Sequence, residues 1–166
     1  MNAVDPAAVL DRRREVDRLL GNYSEDHRHP INITVHHVCV PLIVWSLIAV
    51  LWVVPVAPGV GKPGLWAALA MVGALGFYFR LSRPLGFAAF VMFGLMALAT
   101  GWLHRLLGPA GLLWTAVIVF VAAWIGQFVG HRIEGKRPSF LTDLVYLLVG
   151  PIWIVAKLLR KLRIAY

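Results

Sequence analysis

Apolar residues in this chain gather into long runs separated by short polar segments. Four runs read as membrane-crossing helices: 38–54, ended by Pro55; 65–79; 85–103; and 111–130. A helix crosses a bilayer with about 20 apolar residues, and about 17 are tolerated, so the second run is the shortest that qualifies. A Pro- and Gly-rich loop reaching Gly64, the turn Arg80–Pro84, and His104-Arg105 with Gly108-Pro109 separate them. Ahead of the first run, Asp5-Pro6 has the form of a helix start, with Asp as N-cap and Pro at the first helical position. That helix is expected to run to about Leu20 and to end at Gly21-Asn22. Its modest stripe of Val9, Val16, Leu19 and Leu20 suits the membrane surface. Residues 1–37 thus form an N-terminal cytoplasmic helix and a His-rich lead-in.

The last apolar stretch, 140–159, differs. Asp143 sits near its start, Gly150-Pro151 interrupts its middle and Lys157 falls at its end. With a cytoplasmic N-terminus and four alternating spans, ten Lys and Arg residues lie inside, against Lys62 and Arg105 outside. Basic residues concentrate on the cytoplasmic side. A full crossing by 140–159 would strand Lys157, Arg160, Lys161 and Arg163 on the far side. A re-entrant or interfacial helical hairpin folding back at Gly150-Pro151 keeps them, and both termini, in the cytoplasm. The fold class is therefore an all-α integral membrane protein: one membrane domain, residues 1–166, with four transmembrane helices, an N-terminal surface helix and a C-terminal broken hairpin.

Composition supports the bilayer. Of 166 residues, 60% are hydrophobic and 14% charged, with a mean hydropathy of +0.75; a soluble domain carries about 25% charged residues. The net charge of +8 would suggest nucleic acid in a soluble protein. Here the cations sit between apolar runs, where they set topology and meet anionic headgroups, so nucleic acid is excluded as a partner and membrane lipids are favoured. A single cysteine, Cys39, rules out an intrachain disulfide and a Cys-based zinc motif. The first twenty residues lack the apolar core of a signal peptide. The Ala-, Gly- and Arg-rich composition leans towards a bacterial inner membrane; a eukaryotic version would sit in the endoplasmic reticulum. Nothing in the sequence decides whether a homo-oligomer forms.

The topology gathers polar chemistry on one face. His27, His29, Asn32, His36 and His37 precede the first span, and Gln127, His131 and Glu134 follow the fourth; His104 alone is expected opposite. On a helix, Asn32 and His36 are i and i+4, while Gln127, His131 and Glu134 are i, i+4 and i+7, one stripe each. Polar groups at membrane depth turn inward, so the two stripes would line a pocket with imidazole, carboxamide and carboxylate. Imidazole suits Zn, Fe, Cu or Ni, and two His with one carboxylate is a known non-haem Fe(II) arrangement. The bland alternatives stay open: His29 and His104 as interfacial hydrogen-bonding groups, Asn32 as a helix cap, Glu134 paired with Arg132, Lys136 or Arg137. His37 is a possible ligand that faces about 100° away from His36.

The pattern Tyr23-x3-His27-x2-Pro30-x-Asn32-x3-His36-x4-Pro41, with Gln127-Phe-Val-Gly-His131-x2-Glu134-Gly-Lys-Arg-Pro138-Ser-Phe and Leu-Val-Gly150-Pro151, resembles the small membrane-protein family of the fungal 2-hydroxy fatty acid dioxygenase. The resemblance spans about Leu20 to Leu159. It implies Fe(II) as cofactor and an α-oxidation in which a 2-hydroxy fatty acid and O2 give a fatty acid one carbon shorter. It also implies His27, His36, His131 and Glu134 as catalytic metal ligands, with Asn32 and Gln127 at cofactor-binding motif positions. Arg132, Lys136 or Arg137 could hold the substrate carboxylate. One departure stands out: Glu134 follows His131 after two residues, where the fungal form has three, which turns the carboxylate by about 100° on a helix. Two other classes compete. A zinc- or His-dependent lipid hydrolase would need no O2. A non-catalytic transporter or scaffold would use the histidines structurally, but ion pathways place ionisable groups near the bilayer midplane, and the four runs have none there.

Overall fold

The computed structural model describes residues 6–136 and 145–166, with side chains from Glu15 onward. These residues fold into five helices: α1 (Pro6–Glu25), α2 (Pro30–Val53), α3 (Leu65–Leu81), α4 (Arg83–Glu134) and α5 (Tyr146–Lys161). No strand occurs among them. α4 is two helices joined at Gly108, whose φ of 68° and ψ of 177° are open to glycine and strained for other residues. Pro109 then starts the second limb, as proline does well at a first helical position. The four expected runs thus fall on α2, α3 and the limbs 83–107 and 109–134.

The contacts give the helices an up-down order. The ring of Trp52, at the end of α2, lies against Gly64 ahead of α3 and against Gly101 in the first limb of α4. Ala49 is buried with Leu112 and Ala116 of the second limb. At the other end, Asn32 and Val35 meet Gly130, and Cys39 meets Gly126. Ser82 alone separates α3 from α4, closing one helix with its N–H and capping the next with its hydroxyl. A glycine seam joins α2 to 109–134, where Gly126 and Gly130, four residues apart, leave room for Asn32, Val35 and Cys39 of α2. A Cβ on Gly130 would stand 2.5 Å from Asn32 Oδ1, and one on Gly126 2.8 Å from Cys39 Sγ.

The bundle exposes apolar side chains where a water-soluble one would expose polar ones, and it buries several polar groups inside. Asn32, Ser46 and Thr100 are wholly buried, as nearly are His36, Gln127 and His131. Large apolar side chains such as Val72, Val91, Leu98, Trp114, Ile118 and Ile125 point outward. Among the described residues, α2 and α4 are long and apolar enough to cross a membrane, with mean hydropathy of 2.0 and 2.1 over their best windows; α3 is apolar but has 17 residues.

α1 and α5 close the end that carries the histidines. α1 does not stop at Gly21-Asn22 but continues to Glu25, because its last turns are held by packing: Val16, Leu20 and Tyr23 are buried against α5. The expected cap Asp5 and the side chain of Val9 lie outside the described residues. The C-terminal region also corrects the sequence reading. α5 runs unbroken through Gly150-Pro151, so no hairpin folds back there; residues 140–144 lie outside the described residues. Proline inside a helix costs about 3 kcal/mol, but Val149, Ile152, Trp153 and Ala156 are almost fully buried, at about 1.5–3 kcal/mol for each large side chain. Gly150 serves close approach: a Cβ there would stand 3.0 Å from the Tyr23 hydroxyl. Tyr78 of α3 donates its hydroxyl hydrogen to Leu148 O at 2.9 Å, and Trp153 Nε1 donates to Ser24 Oγ at 2.8 Å. These bonds fasten α5 to the bundle and to α1.

The glycine seam makes a prediction. Gly130→Val is expected to destabilise the protein by about 1–3 kcal/mol, as overpacking does. Gly73→Ala, at an exposed helical site with nothing within 4 Å, should be neutral or stabilising by about 0.5–1 kcal/mol. Melting temperatures of both variants in one detergent check this; equal shifts would mean that the seam does not depend on Gly130.

Candidate metal centre

Three histidines from three places in the chain meet under the α1–α5 cap. His27 lies in the short link between α1 and α2, His36 two turns into α2, and His131 near the end of α4. Their exposures are 3%, 2% and 4%, and one ring nitrogen of each lies within 4.8 Å of the others. The ring centroids are 4.1 Å apart for His27 and His36, 5.1 Å for His27 and His131, and 4.9 Å for His36 and His131.

The hydrogen bonds place a hydrogen on Nδ1 of two rings. His27 Nδ1 donates to Tyr23 O at 2.5 Å, and His36 Nδ1 donates to Asn32 O at 3.0 Å. A carbonyl can only accept, so both Nδ1 atoms carry hydrogen and both neutral rings present a lone pair at Nε2. Those two Nε2 atoms face each other at 2.9 Å. Burial holds the His27 imidazole below its ordinary pKa, against the opposing pull of the Tyr23 carbonyl, Asp26 and Glu134. The third ring adds another donor, and no hydrogen-bond partner reaches His131 Nδ1 among the described residues. Lone pairs that converge in a dry site repel unless a cation lies between them, and second bonds to carbonyls are how metal-binding imidazoles are commonly oriented. Two nitrogens 2.9 Å apart can both reach one ion at metal–nitrogen distances of about 2.0–2.1 Å. The donor set therefore fits a borderline divalent metal.

Glu134, expected as the carboxylate ligand, is not in this group. Its Oε1 accepts from the backbone N–H of Arg28 at 3.1 Å, and its Oε2 from the backbone N–H of His29 at 2.8 Å and from Asn32 Nδ2 at 3.2 Å. The carboxylate thus neutralises the start of α2, where backbone donors and the helix dipole favour a negative group. In doing so it ties the end of α4 to the link that carries His27. Gly135, in a left-handed conformation, ends α4 immediately after it.

The other expected residues separate cleanly. Asn32 is fully buried, bonded to Glu134, and does not cap α2; His29 does, accepting from Ile31 N at 3.2 Å. His37 turns away, exposed, with Nδ1 on Ile33 O at 2.6 Å and its ring near Trp153. His104 lies in the other limb of α4, towards Gly108. Lys136 is engaged with Glu25 O at 2.8 Å and Asp26 at 3.2 Å, Arg132 is exposed, and Arg137 lies outside the described residues. Two residues were given no role from the sequence. Tyr23 stacks on His27 with centroids 4.1 Å apart. Trp153 packs 5.6 Å from the same ring and carries Lys157 Nζ over its own face at 3.5 Å. Tyr23 had a sequence signal in its fixed spacing to His27; Trp153 had none, since α5 was expected to break beside it.

A cavity of about 240 Å³ opens from the histidines between α2, α4 and α5. His36, His131, Gln127 and Tyr23 line its head, and Val40, Ile43, Val44, Leu47, Phe120, Trp124 and Leu147 line the rest. His36 to Leu47 on α2 and His131 to Phe120 on α4 each span eleven residues, so these walls follow the helices for about 16 Å.

The family described as 2-hydroxy-palmitic acid dioxygenase Mpo1-like matches residues 14–162 of this chain. The 2-hydroxy-palmitic acid dioxygenase MPO1 of Saccharomyces cerevisiae is 34% identical over 157 residues, covering 93% of this chain and 83% of the yeast protein. No solved structure matches.

The placement of Glu134 is testable. Glu134→Ala is expected to cost about 1–2 kcal/mol of stability, as loss of a charged cap does, and to weaken divalent-metal binding by about tenfold through disorder of the His27 link. Glu134→Gln keeps one accepting oxygen and should retain most of the metal. Metal titration of the purified variants decides: loss in Glu134→Gln as complete as in His131→Ala would return Glu134 to the ligand set.

Proposed function

This chain belongs to the Mpo1-like family of 2-hydroxy-palmitic acid dioxygenases, and from that premise we propose that it is an Fe(II)-dependent membrane dioxygenase. It would take a 2-hydroxy fatty acid and O2 and release a fatty acid one carbon shorter, with the first carbon leaving as CO2 and one water formed. The observation that carries the reading is the pair of Nε2 lone pairs meeting at 2.9 Å, with His131 beside them, at the head of an apolar cavity.

His27, His36 and His131 would hold the metal. When bound, iron supplies the redox chemistry with O2 that side chains cannot. The protein's own part is orientation, charge and dryness. The carbonyls of Tyr23 and Asn32 hold two rings with Nε2 inward. With Glu134 committed to the start of α2, all three ligands are neutral, and a divalent ion keeps its full positive charge. That charge favours an anionic headgroup, so the substrate carboxylate would be drawn to the site by the centre itself rather than by Lys136. The apolar walls accept the acyl chain, and Trp153 and Tyr23 shield the histidines from water on the α1–α5 side.

The same reading places four crossings at α2, α3 and the two limbs of α4, with the metal centre and both termini at the cytoplasmic face. The outward apolar surface and buried polar interior support it, because lipid-facing helices expose apolar residues and turn polar ones inward. α5 then lies at the interface, which keeps Lys157, Arg160, Lys161 and Arg163 on the side that favours basic residues.

Two measurements test this reading. Detergent-purified protein loaded anaerobically should bind near-stoichiometric Fe(II), and His27→Ala, His36→Ala and His131→Ala should each abolish it together with O2 uptake driven by 2-hydroxyhexadecanoic acid. Zinc retained with lipid hydrolysis and no O2 uptake would favour the hydrolase instead. For topology, Lys62→Cys in a Cys39→Ser background should react with an impermeant maleimide from outside intact cells, and Lys136→Cys only after permeabilisation. The reverse pattern would invert the protein in the membrane.

A further inference from the structure

Gln127 lies one helical turn from His131 on the same face of α4 and lines the cavity beside His36. It is 4% exposed, and no donor among the described residues reaches its Oε1. A buried acceptor left unpaired is costly, and such groups in native structures call for a partner. Val40, Ile43 and Trp124 share the cavity wall with it, and none of them hydrogen-bonds to Oε1. Gln127 stands about 6 Å along α4 from His131, towards the apolar part. A ligand with its head at the histidines and its chain in the cavity must therefore pass it.

We propose that Gln127 is the specificity-determining residue that reads the 2-hydroxyl of the substrate, an inference that rests on the dioxygenase reading above. An ionised carboxylate has only acceptors, and a methylene chain has neither donors nor acceptors. The hydroxyl on the second carbon is the one donor that a 2-hydroxy fatty acid carries. It satisfies Oε1 when it enters, whereas an unsubstituted fatty acid of the same length leaves that oxygen buried and unpaired. A site built this way rejects the analogue that lacks the hydroxyl far better than a purely apolar pocket could. The product, one carbon shorter and without that hydroxyl, loses the same bond, which favours its release.

The test is anaerobic equilibrium binding of 2-hydroxyhexadecanoic and hexadecanoic acids to the metal-loaded protein in detergent, so that no turnover occurs. Wild type should prefer the hydroxy acid. Gln127→Leu and the unbranched Gln127→Met should each weaken the hydroxy acid by about tenfold to a hundredfold, with hexadecanoic acid bound as well as before or better and metal content unchanged. Equal weakening of both acids would assign Gln127 to the carboxylate and overturn the proposal, as would loss of metal in both variants or an unchanged preference. A wild-type protein that binds metal but does not distinguish the two acids would instead count against the dioxygenase reading itself.

Discussion

His27 and His36 are held so that each spends its Nδ1 hydrogen on a backbone carbonyl and turns an unprotonated Nε2 towards the other at 2.9 Å. Two lone pairs at that distance repel, and burial removes the water that would otherwise separate them. Protonating one ring would relieve the repulsion, but a cation in a dry site is costly without a counter-charge, and His27 is pushed below its ordinary pKa by this burial. On the proposed reading, a divalent ion shared with His131 would resolve the conflict by using all three rings, with the substrate's anionic headgroup as its counter-charge. Much of the remaining architecture holds the rings in this relation.

The scaffold does so with few parts. His36 and His131 are brought together by one seam, where Gly126 and Gly130 leave room for the side chains of Asn32, Val35 and Cys39 of α2. His27 is not on either helix and needs its own support. Tyr23 stacks on one side of it, Trp153 packs near it, and the Glu134 carboxylate binds the two amides that follow it. α5 matters here because Trp153 is its central anchor, joined to α1 through Ser24. The helix that looked broken in the sequence is the wall that keeps His27 dry.

What the sequence revealed followed from periodicity and from the membrane pattern. The apolar runs located the helices, and the i, i+4 stripes of Asn32 with His36 and of Gln127 with His131 identified four side chains that are all buried at one end of the bundle. His27 came from a motif resemblance, because a residue in a link has no helical phase to read. The errors share one cause, tertiary contact overriding a local signal. Gly21-Asn22 has the form of a helix stop, yet Tyr23 is packed into the cap and carries α1 onward. Gly150-Pro151 has the form of a turn, yet Gly150 is the site of close approach to Tyr23. Glu134 has a ligand's spacing to His131, but the start of α2 offers it two backbone donors and a side-chain amide, and no spacing rule reveals that competitor. The glycine pair at 126 and 130 was visible as a small-residue motif and was the missed clue to which helices meet.

The diversion of Glu134 bears on how such a centre selects what it binds. A carboxylate ligand would lower the charge of the centre and compete with an incoming acid. Three neutral imidazoles would leave a bound ion's charge uncompensated inside a cavity whose walls are nearly all apolar, and charge interactions strengthen as the local dielectric falls. On the proposed reading, the site is completed electrostatically only when an anionic headgroup arrives, and the same headgroup must bring an apolar chain to fill the space behind it. Small anions satisfy one condition but not both, and water satisfies neither. On that reading Glu134, by serving the helix start instead of the metal, helps to make the substrate the missing charge.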